Sequence, residues 1–117
     1  RAQMPNIHSL SGLEVHDCFS MTEYMIIDHS GLTAPGESYR AIDDGSIFMG
    51  GKLPINPSGG LIGLGHPVGA TGVRMMLDAY KQVTQQAGDT QVEGATDFGI
   101  FNLGGSATTC ATFVVGK

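Results

Sequence analysis

The segment NPSGGLIGLGHPVGATG, residues 56–72, places one histidine, His66, in a dense run of glycines. Glycines either make tight turns or let backbone and ligand come close to the imidazole. A neutral imidazole near a helix N-terminus could donate a hydrogen bond to a developing oxyanion. A histidine that only caps or packs against a helix fits the same local pattern, so both interpretations stay open at this point.

An amphipathic helix is predicted after this segment. Pro67 suits its first turn, because proline lacks the amide hydrogen that would have no partner there, and Gly88 is expected to end it. Apolar residues at helical spacing form the face that we expect to be buried: Val73, Met76, Leu77, Tyr80 and Val83. Polar residues are expected on the opposite face: Arg74, Asp78, Lys81 and Gln85.

The segment GLEVHDCF, residues 12–19, alternates apolar and polar side chains and predicts a strand that runs into a turn. His16, Asp17 and Cys18 follow at the strand end. A thiol beside a helix N-terminus can exchange protons near neutral pH, although a small buried cysteine is a common structural alternative. These three residue types also bind metals, but no C-x-x-C or H-x-x-x-H spacing supplies further ligands, so we expect no metal site.

The helix after this strand is predicted from a capping box, in which Ser20 and Glu23 satisfy amides of the first turn. Gly31 is the expected C-cap. Residues 32–58 show little periodicity and predict a long loop. Such a loop in a compact domain is usually functional or ordered by its neighbours.

The C-terminal segment, residues 97–117, predicts two strands joined at a glycine pair, Gly104 and Gly105. Asn102 is expected at the hairpin tip with them. The amide of Gly104 could point at a ligand, because no side chain blocks its approach, and a plain tight turn is the alternative. Cys110 is expected to be an inert core residue. The predicted elements follow the order strand, helix, loop, helix, strand, strand.

Composition and charge argue against several classes of function. The 117 residues suit one domain, and a net charge of −5 with six Lys and Arg residues argues against a nucleic-acid surface. No run of about 18 apolar residues occurs, so no membrane span is expected. Gly63, Gly65 and Gly69 have G-x-G-x-x-x-G spacing without a P-loop lysine, which disfavours nucleotide binding. Cys18 and Cys110 are expected to be free thiols of a reducing compartment.

Three motifs together resemble the C-terminal part of the thiolase superfamily. Residues 56–72 resemble its N-x-x-G-G-x-x-x-x-G-H-P-x-G-x-[ST]-G block, and HDCF at 16–19 resembles the form of N-E-A-F in sterol-carrier-protein-type thiolases. NLGG at 102–105 falls where most thiolases have C-x-G, and the match runs in order from about residue 8. The resemblance implies an α/β fold with a mixed sheet and helices, in which residues 1–117 are a partial C-terminal domain of an enzyme with the α-β-α-β-α layered thiolase fold.

The resemblance also implies roles, because thiolases join or cleave acyl-CoA units through an acyl-cysteine. His66 would be the histidine that activates the nucleophilic cysteine and helps to bind the thioester oxygen. His16 would replace the asparagine that positions a water in the first oxyanion hole, and the Gly104 amide would contribute to the second. Asn102 stands where a second catalytic cysteine usually stands. Cys18 is the candidate acid/base in its place.

The resemblance places the nucleophilic cysteine in an N-terminal half outside this sequence. We therefore expect the chain to be inactive alone, to need the remaining thiolase half or a partner chain, and to form a homo-oligomer. An unpaired sheet edge and an uncovered helix face are expected. A coenzyme A thioester is the expected substrate, with no cofactor.

Two alternatives to a thiolase-like acyltransferase stay open. One is a thiolase-like aldolase (a lyase) of side-chain degradation, and the other is a non-catalytic thiolase-like module. The terminal VVGK is not an S-K-L signal, which makes a cytoplasmic location the simpler expectation, although a eukaryotic source would permit a peroxisomal one.

Overall fold

A computed structural model describes residues 6–117 and shows an α/β fold around a three-stranded mixed sheet of order β1-β2-β3. The strands are β1 (Gly12–Val15), β2 (Asp97–Gly104) and β3 (Thr109–Gly116). The helices are α1 (Ser20–Ser30), α2 (Ser38–Asp43), α3 (Gly60–Leu64) and α4 (Thr71–Val83). The predicted fold class is confirmed. No helix of residues 6–117 has the length and apolar character needed to cross a membrane.

Strand pairing brings the two ends of the chain together. β1 runs parallel to β2, with Val15 opposite Phe101, and β2 runs antiparallel to β3. On the other side of β1, Leu13 forms a parallel bridge with Ile55. Because the backbone amide of His16 donates to the carbonyl oxygen of Phe101 at 2.9 Å, the pairing continues past the end of β1 toward Asn102.

Two hydrophobic clusters form the core. Successive strand residues point to opposite faces of a sheet, so Leu13 and Val15 pack with α1, whereas Phe98 and Ile100 pack with α4. The register puts Glu14 on the face of Phe98 and Ile100, and it is fully buried there. A carboxyl group in this position needs polar partners, which the glycine-rich segment supplies.

The buried face of α4 differs in part from the predicted one, in which Val83 is buried as predicted and Met76 is partly buried. The helix packs through a row spaced four apart, Thr71, Met75, Ala79 and Val83, together with Gln82. Of the predicted row, Val73 is 75% and Tyr80 51% exposed. The predicted polar face is also wrong in part, because the side chains of Arg74 and Asp78 are only 19% and 12% exposed and pair with each other. Small residues at 71 and 79 let the helix approach the sheet closely, which hydrophobicity alone does not reveal.

The boundaries of this region also need correction. α4 begins at Thr71, and Pro67 precedes it, accepting hydrogen bonds from the amides of Ala70 and Thr71 through its carbonyl. The glycine-rich segment contains a short helix, α3, that was not predicted. Helix α4 ends at Val83 and not at Gly88, as was predicted. Gly88 is the first residue of a short 3-10 helix.

The predicted capping box is absent from α1. Ser20 is its first helical residue, and the N-cap residue Phe19 makes no side-chain cap bond. Gly31 is the C-cap in a left-handed conformation, as predicted. The predicted long loop contains α2 and is ordered by α1, since the Asp28 carboxylate accepts a hydrogen bond from the amide of Gly36 at 2.6 Å.

The β2–β3 hairpin turns later than predicted. Asn102 and Gly104 lie within β2, and the turn is formed by residues 105–108, where Ser106 and Ala107 adopt left-handed φ angles. Cys110 is exposed on β3 and is not a core residue. The glycine pair was a misleading turn signal, because Gly104 keeps strand geometry and only Gly105 has a positive φ.

Candidate functional site

One cavity of about 540 Å³ brings together the residues that the sequence analysis grouped. His16, Cys18, His66 and Gly104 all line it. Small and apolar residues form much of the remaining wall: Phe19, Met25, Val68, Leu103, Ala107 and Ala111. The cavity is therefore polar where the two histidines meet and apolar on the side of α1 and the hairpin.

His16 follows the last residue of β1, and the residue is only 6% exposed. Its Nδ1 atom is 2.7 Å from the Oδ1 atom of Asn102 on the neighbouring strand. An amide oxygen can only accept a hydrogen bond, so Nδ1 carries the hydrogen. In the neutral ring, Nε2 is then a free acceptor.

His66 follows α3 and is exposed. Its Nδ1 atom is 2.7 Å from the Oγ1 atom of Thr71, the first residue of α4. The Thr71 hydroxyl donates to the carbonyl oxygen of Pro67 at 3.2 Å. That hydroxyl has one hydrogen, so it accepts from His66, and the neutral His66 ring also has an unprotonated Nε2. Such a ring can take a proton from a thiol and then donate it to an oxyanion.

The two imidazole rings are in direct contact. Their centroids are 4.9 Å apart, and the ring of His16 is perpendicular to that of His66. The two rings therefore form one continuous polar part of the cavity wall.

Asp17 anchors the segment that carries His66, and sequence reasoning missed this role. Its buried carboxylate accepts a hydrogen bond from the backbone amide of Leu61 at 2.6 Å. A Cβ atom on Gly60 would collide with that carboxylate, and Gly60 has a positive φ of 60°. The second glycine of the GG pair is thus required by both space and backbone conformation. Only the adjacency of Asp17 to His16 hinted at a function.

A second anchor joins β1 to the start of the same segment. The Oε2 atom of buried Glu14 accepts a hydrogen bond from the Ser58 hydroxyl at 2.7 Å. Burial raises the pKa of Glu14 to about 7, with a further increase from Asp78, whereas the hydrogen bonds from Ser58 lower it. In addition, the Oδ1 atom of Asn56 accepts from the amide of Val15 at 2.7 Å. β1 therefore holds this segment at several points.

Cys18 and Gly104 lie in the cavity wall with few constraints. The half-buried Sγ atom of Cys18 is 3.7 Å from the Oγ1 atom of Thr22 on α1. A Cβ atom on Gly104 would meet only the Cβ atom of Thr109, at 4.0 Å, so packing does not require a glycine there. The chemical roles of His16, Cys18, His66 and Gly104 stay predictions.

Comparisons with known proteins identify relatives along nearly the whole chain. A family model described as thiolase C-terminal domain-like matches residues 6–117. Acetyl-CoA acetyltransferase of Methanothermobacter thermautotrophicus is 40% identical over 105 residues, which is 90% of this chain and 27% of that protein. Human sterol carrier protein 2 is 41% identical over 105 residues, which is 89% of this chain and 19% of that protein.

The fold is also similar to a solved structure. The Ltp2-ChsH2(DUF35) aldolase has a TM-score of 0.83 and 23% sequence identity, and the match covers 95% of this chain and 28% of that chain. At this identity the match bears on the fold alone. The chain spans about a quarter, or less, of the length of these relatives.

Proposed function

The chain belongs to the family of thiolase C-terminal domains, and from this premise we propose that it is the C-terminal catalytic segment of an acyltransferase acting on coenzyme A thioesters. The observation that carries the proposal is the single cavity in which the rings of His16 and His66 meet next to Cys18. The nucleophilic cysteine comes from the remaining part of the full-length protein. The direction, thiolysis or Claisen condensation, follows from the substrates supplied.

His66 acts as the base toward the nucleophilic cysteine. Its free Nε2 takes the thiol proton, and the thiolate attacks the thioester carbonyl carbon. The resulting imidazolium donates from Nε2 to the carbonyl oxygen, which has become an oxyanion. When the bond from carbon to the coenzyme A sulfur breaks, coenzyme A leaves as a thiolate and an acyl-cysteine remains. The bond from His66 to Thr71 supports this sequence, because it fixes the tautomer that can accept the proton.

Cys18 exchanges the second proton. Its thiol protonates the leaving coenzyme A thiolate. In the condensing direction its thiolate then removes a proton from the α-carbon of the second acyl-CoA, whose carbanion attacks the acyl-cysteine. Its position in the same cavity wall as His66 supports this role. The side-chain amide of Asn102 has no acidic proton and cannot take this role.

The remaining part of the protein also completes the surface of the domain. The exposed side chains of Val73 and Tyr80 form an apolar row on α4. Among residues 6–117, strand β3 has a neighbouring strand, β2, on one side only. Such rows and edges are normally covered by further structure. We expect the remaining thiolase half to cover them. A homo-oligomer and a cytoplasmic location stay predictions.

The test uses the full-length protein and two matched pairs of variants. His66→Asn should lower kcat for thiolysis of acetoacetyl-CoA by roughly 10²–10⁴-fold, the range for loss of a general base. His29→Asn, on the last turn of α1, should leave kcat unchanged. Cys18→Ser should lower kcat at least about tenfold, whereas Cys110→Ser, outside the cavity lining, should not.

The same preparation distinguishes the alternatives. If the protein catalysed retro-aldol cleavage of a β-hydroxyacyl-CoA and no thiolysis, it would be a lyase and not an acyltransferase. The protein would be a non-catalytic module if it showed neither activity and if mass spectrometry after incubation with acyl-CoA detected no covalent acyl-cysteine. Wild-type turnover of His66→Asn would refute the role of His66.

A further inference from the structure

Asn102 occupies a place where its amide governs the ring of His16. We propose that Asn102 is a positioning residue, which fixes the orientation and tautomer of His16 so that Nε2 faces the cavity as a hydrogen-bond acceptor. The use of this acceptor in catalysis rests on the proposed function, but the tautomer itself does not.

The sheet dictates this contact. β1 and β2 are parallel and in a register that puts residues 16 and 102 next to each other on one face, although they are far apart in sequence. The backbone amide of His16 donates to the carbonyl oxygen of Phe101, which fixes the backbone, and the burial of His16 limits rotation of its ring. The distance of 2.7 Å from Nδ1 to the Asn102 Oδ1 atom is that of a short, well-formed hydrogen bond.

The consequence is an acceptor at the other ring nitrogen. Among residues 6–117, Nε2 of His16 has no hydrogen-bond partner, and the ring lines the cavity. Within this part of the chain, the other titratable groups that line the cavity are Cys18 and His66. A neutral His16 therefore cannot donate directly to an oxyanion. Its Nε2 atom can instead accept a hydrogen bond from a water molecule, and that water molecule can donate its second hydrogen to the oxyanion.

Gly72 in the first turn of α4 leaves room for this arrangement. A Cβ atom on Gly72 would lie 2.9 Å from the Nδ2 atom of Asn102, closer than van der Waals contact permits. The last glycine of the segment at 56–72 is thus explained by the Asn102 amide. Strand β2, helix α4 and the end of β1 meet at this one side chain.

The direct test reads the tautomer without turnover. In the full-length protein labelled with 15N-histidine, long-range 1H–15N spectra distinguish Nδ1–H from Nε2–H rings, and His16→Asn identifies the His16 signals. We expect Nδ1–H in the wild type and in Asn102→Asp, which keeps an acceptor oxygen. Asn102→Leu and the smaller Asn102→Ala should lose the Nδ1–H preference. Retention of the wild-type tautomer in both would overturn the proposal.

Kinetics then test whether the tautomer matters. Asn102→Leu should lower kcat about tenfold or more with KM changed less than about threefold, as for an interaction used in the transition state. Asn102→Asp should recover most of kcat, with the acidic limb of the pH–rate profile moved to higher pH, because a carboxylate beside Nδ1 favours the imidazolium. An equal loss in Asp and Leu variants, with no movement of the limb, would contradict a positioning role.

Gly72→Ala approaches the same contact from the other side. It should perturb the His16 tautomer and lower kcat, while the loss should not add to that of Asn102→Ala in the double variant. Fully additive losses would contradict the shared contact. If the wild type shows no acyl transfer, the proposed function fails, whereas the spectra still decide the role of Asn102.

Discussion

The two histidines of the cavity are held by different kinds of structure. His16 is buried at the end of a strand, where backbone pairing to Phe101 and the side chain of Asn102 fix it. His66 is exposed and is fixed by one side-chain bond, to Thr71. The difference shows that the sheet positions one imidazole through the backbone, whereas the other depends on how the glycine-rich segment is anchored.

Three anchors of that segment start from β1 or its end, and Arg74 on α4 adds hydrogen bonds to the carbonyl oxygens of Gly60 and Gly65. Glu14, Val15 and Asp17 bond to Ser58, Asn56 and Leu61, respectively. If this account is right, changes at the anchors should affect His66 more than they affect His16. Two substitutions at anchors and one at Thr71, the hydrogen-bond partner of His66, test it, in order of decreasing expected effect on kcat.

Asp17→Ala should have the largest effect. It leaves the amide of Leu61 without its buried partner, which costs about 1–3 kcal/mol of unfolding free energy, and it releases the segment that carries His66. We expect kcat of the full-length protein to fall about 10²-fold, as for a reacting group misplaced by about 1 Å. Steady-state kinetics and urea unfolding measure both. The matched control is Asp28→Ala, which also loses a carboxylate-to-amide bond, to Gly36, but away from the cavity. Equal kinetic losses in the two variants would contradict the comparison.

Thr71→Val should have an intermediate effect. Valine keeps the shape and removes the hydroxyl that accepts from His66, so the tautomer with a free Nε2 is no longer selected. We expect about a tenfold lower kcat and a loss of about 1 kcal/mol in unfolding free energy. Thr84→Val, at the other end of α4, removes a hydroxyl bonded to the carbonyl of Tyr80 and serves as the control. Its kcat should be that of the wild type. A Thr71→Val enzyme with unchanged kcat would show that His66 needs no orienting partner.

Glu14→Gln should have the smallest effect on kcat, and its main effect should appear in the pH dependence of stability. The pKa of Glu14 is raised by burial from 4.5 to about 7. The folded state therefore binds more protons than the unfolded state between these values, and this group makes stability fall as pH rises through that window. Glutamine does not titrate. As pH rises through this window, the unfolding free energy of the variant should therefore increase relative to that of the wild type, by at most about 1.4 kcal/mol per pH unit.

Urea unfolding from about pH 5 to pH 8 measures that difference. The exposed Glu93→Gln is the control and should follow the wild type at each pH. A constant difference between Glu14→Gln and the wild type across this range would mean that Glu14 ionises in the fold as it does in the unfolded chain.

The sequence was sufficient for the three strands of the described residues, for α1 and α4, and for the candidate site residues in the cavity wall, because each has a local signal, whereas α2 and α3 were not predicted. The alternation in β1, the C-cap at Gly31 and the two C-terminal strands are all present. Prediction failed where a contact across the fold decides the outcome. Thr71 and Ala79 pack against the sheet, although Val73 and Tyr80 are more hydrophobic. The hydrophobicity pattern of a sequence does not show which of two rows on a helix packs against the sheet of the same domain.

The orienting residues were missed for the same reason. Asn102 looked like a turn residue because it precedes two glycines, yet it lies within β2. Its contact with His16 and that of Asp17 with Leu61 join residues far apart in the chain. Only the strand register and the path of the glycine-rich segment reveal these pairs. The candidate residues of the cavity could be identified from their residue types, but the groups that orient them could not.

The parallel pairing of β1 with β2 also affects the order in which the site can form. All four helices lie between these two strands, so the strands meet only after that whole stretch has closed into a loop, at an entropic cost that local structure does not carry. Contacts of this long range slow folding relative to local ones. A chain with every helix formed but the strands apart therefore has no contact between His16 and Asn102, and this contact forms only as folding is completed.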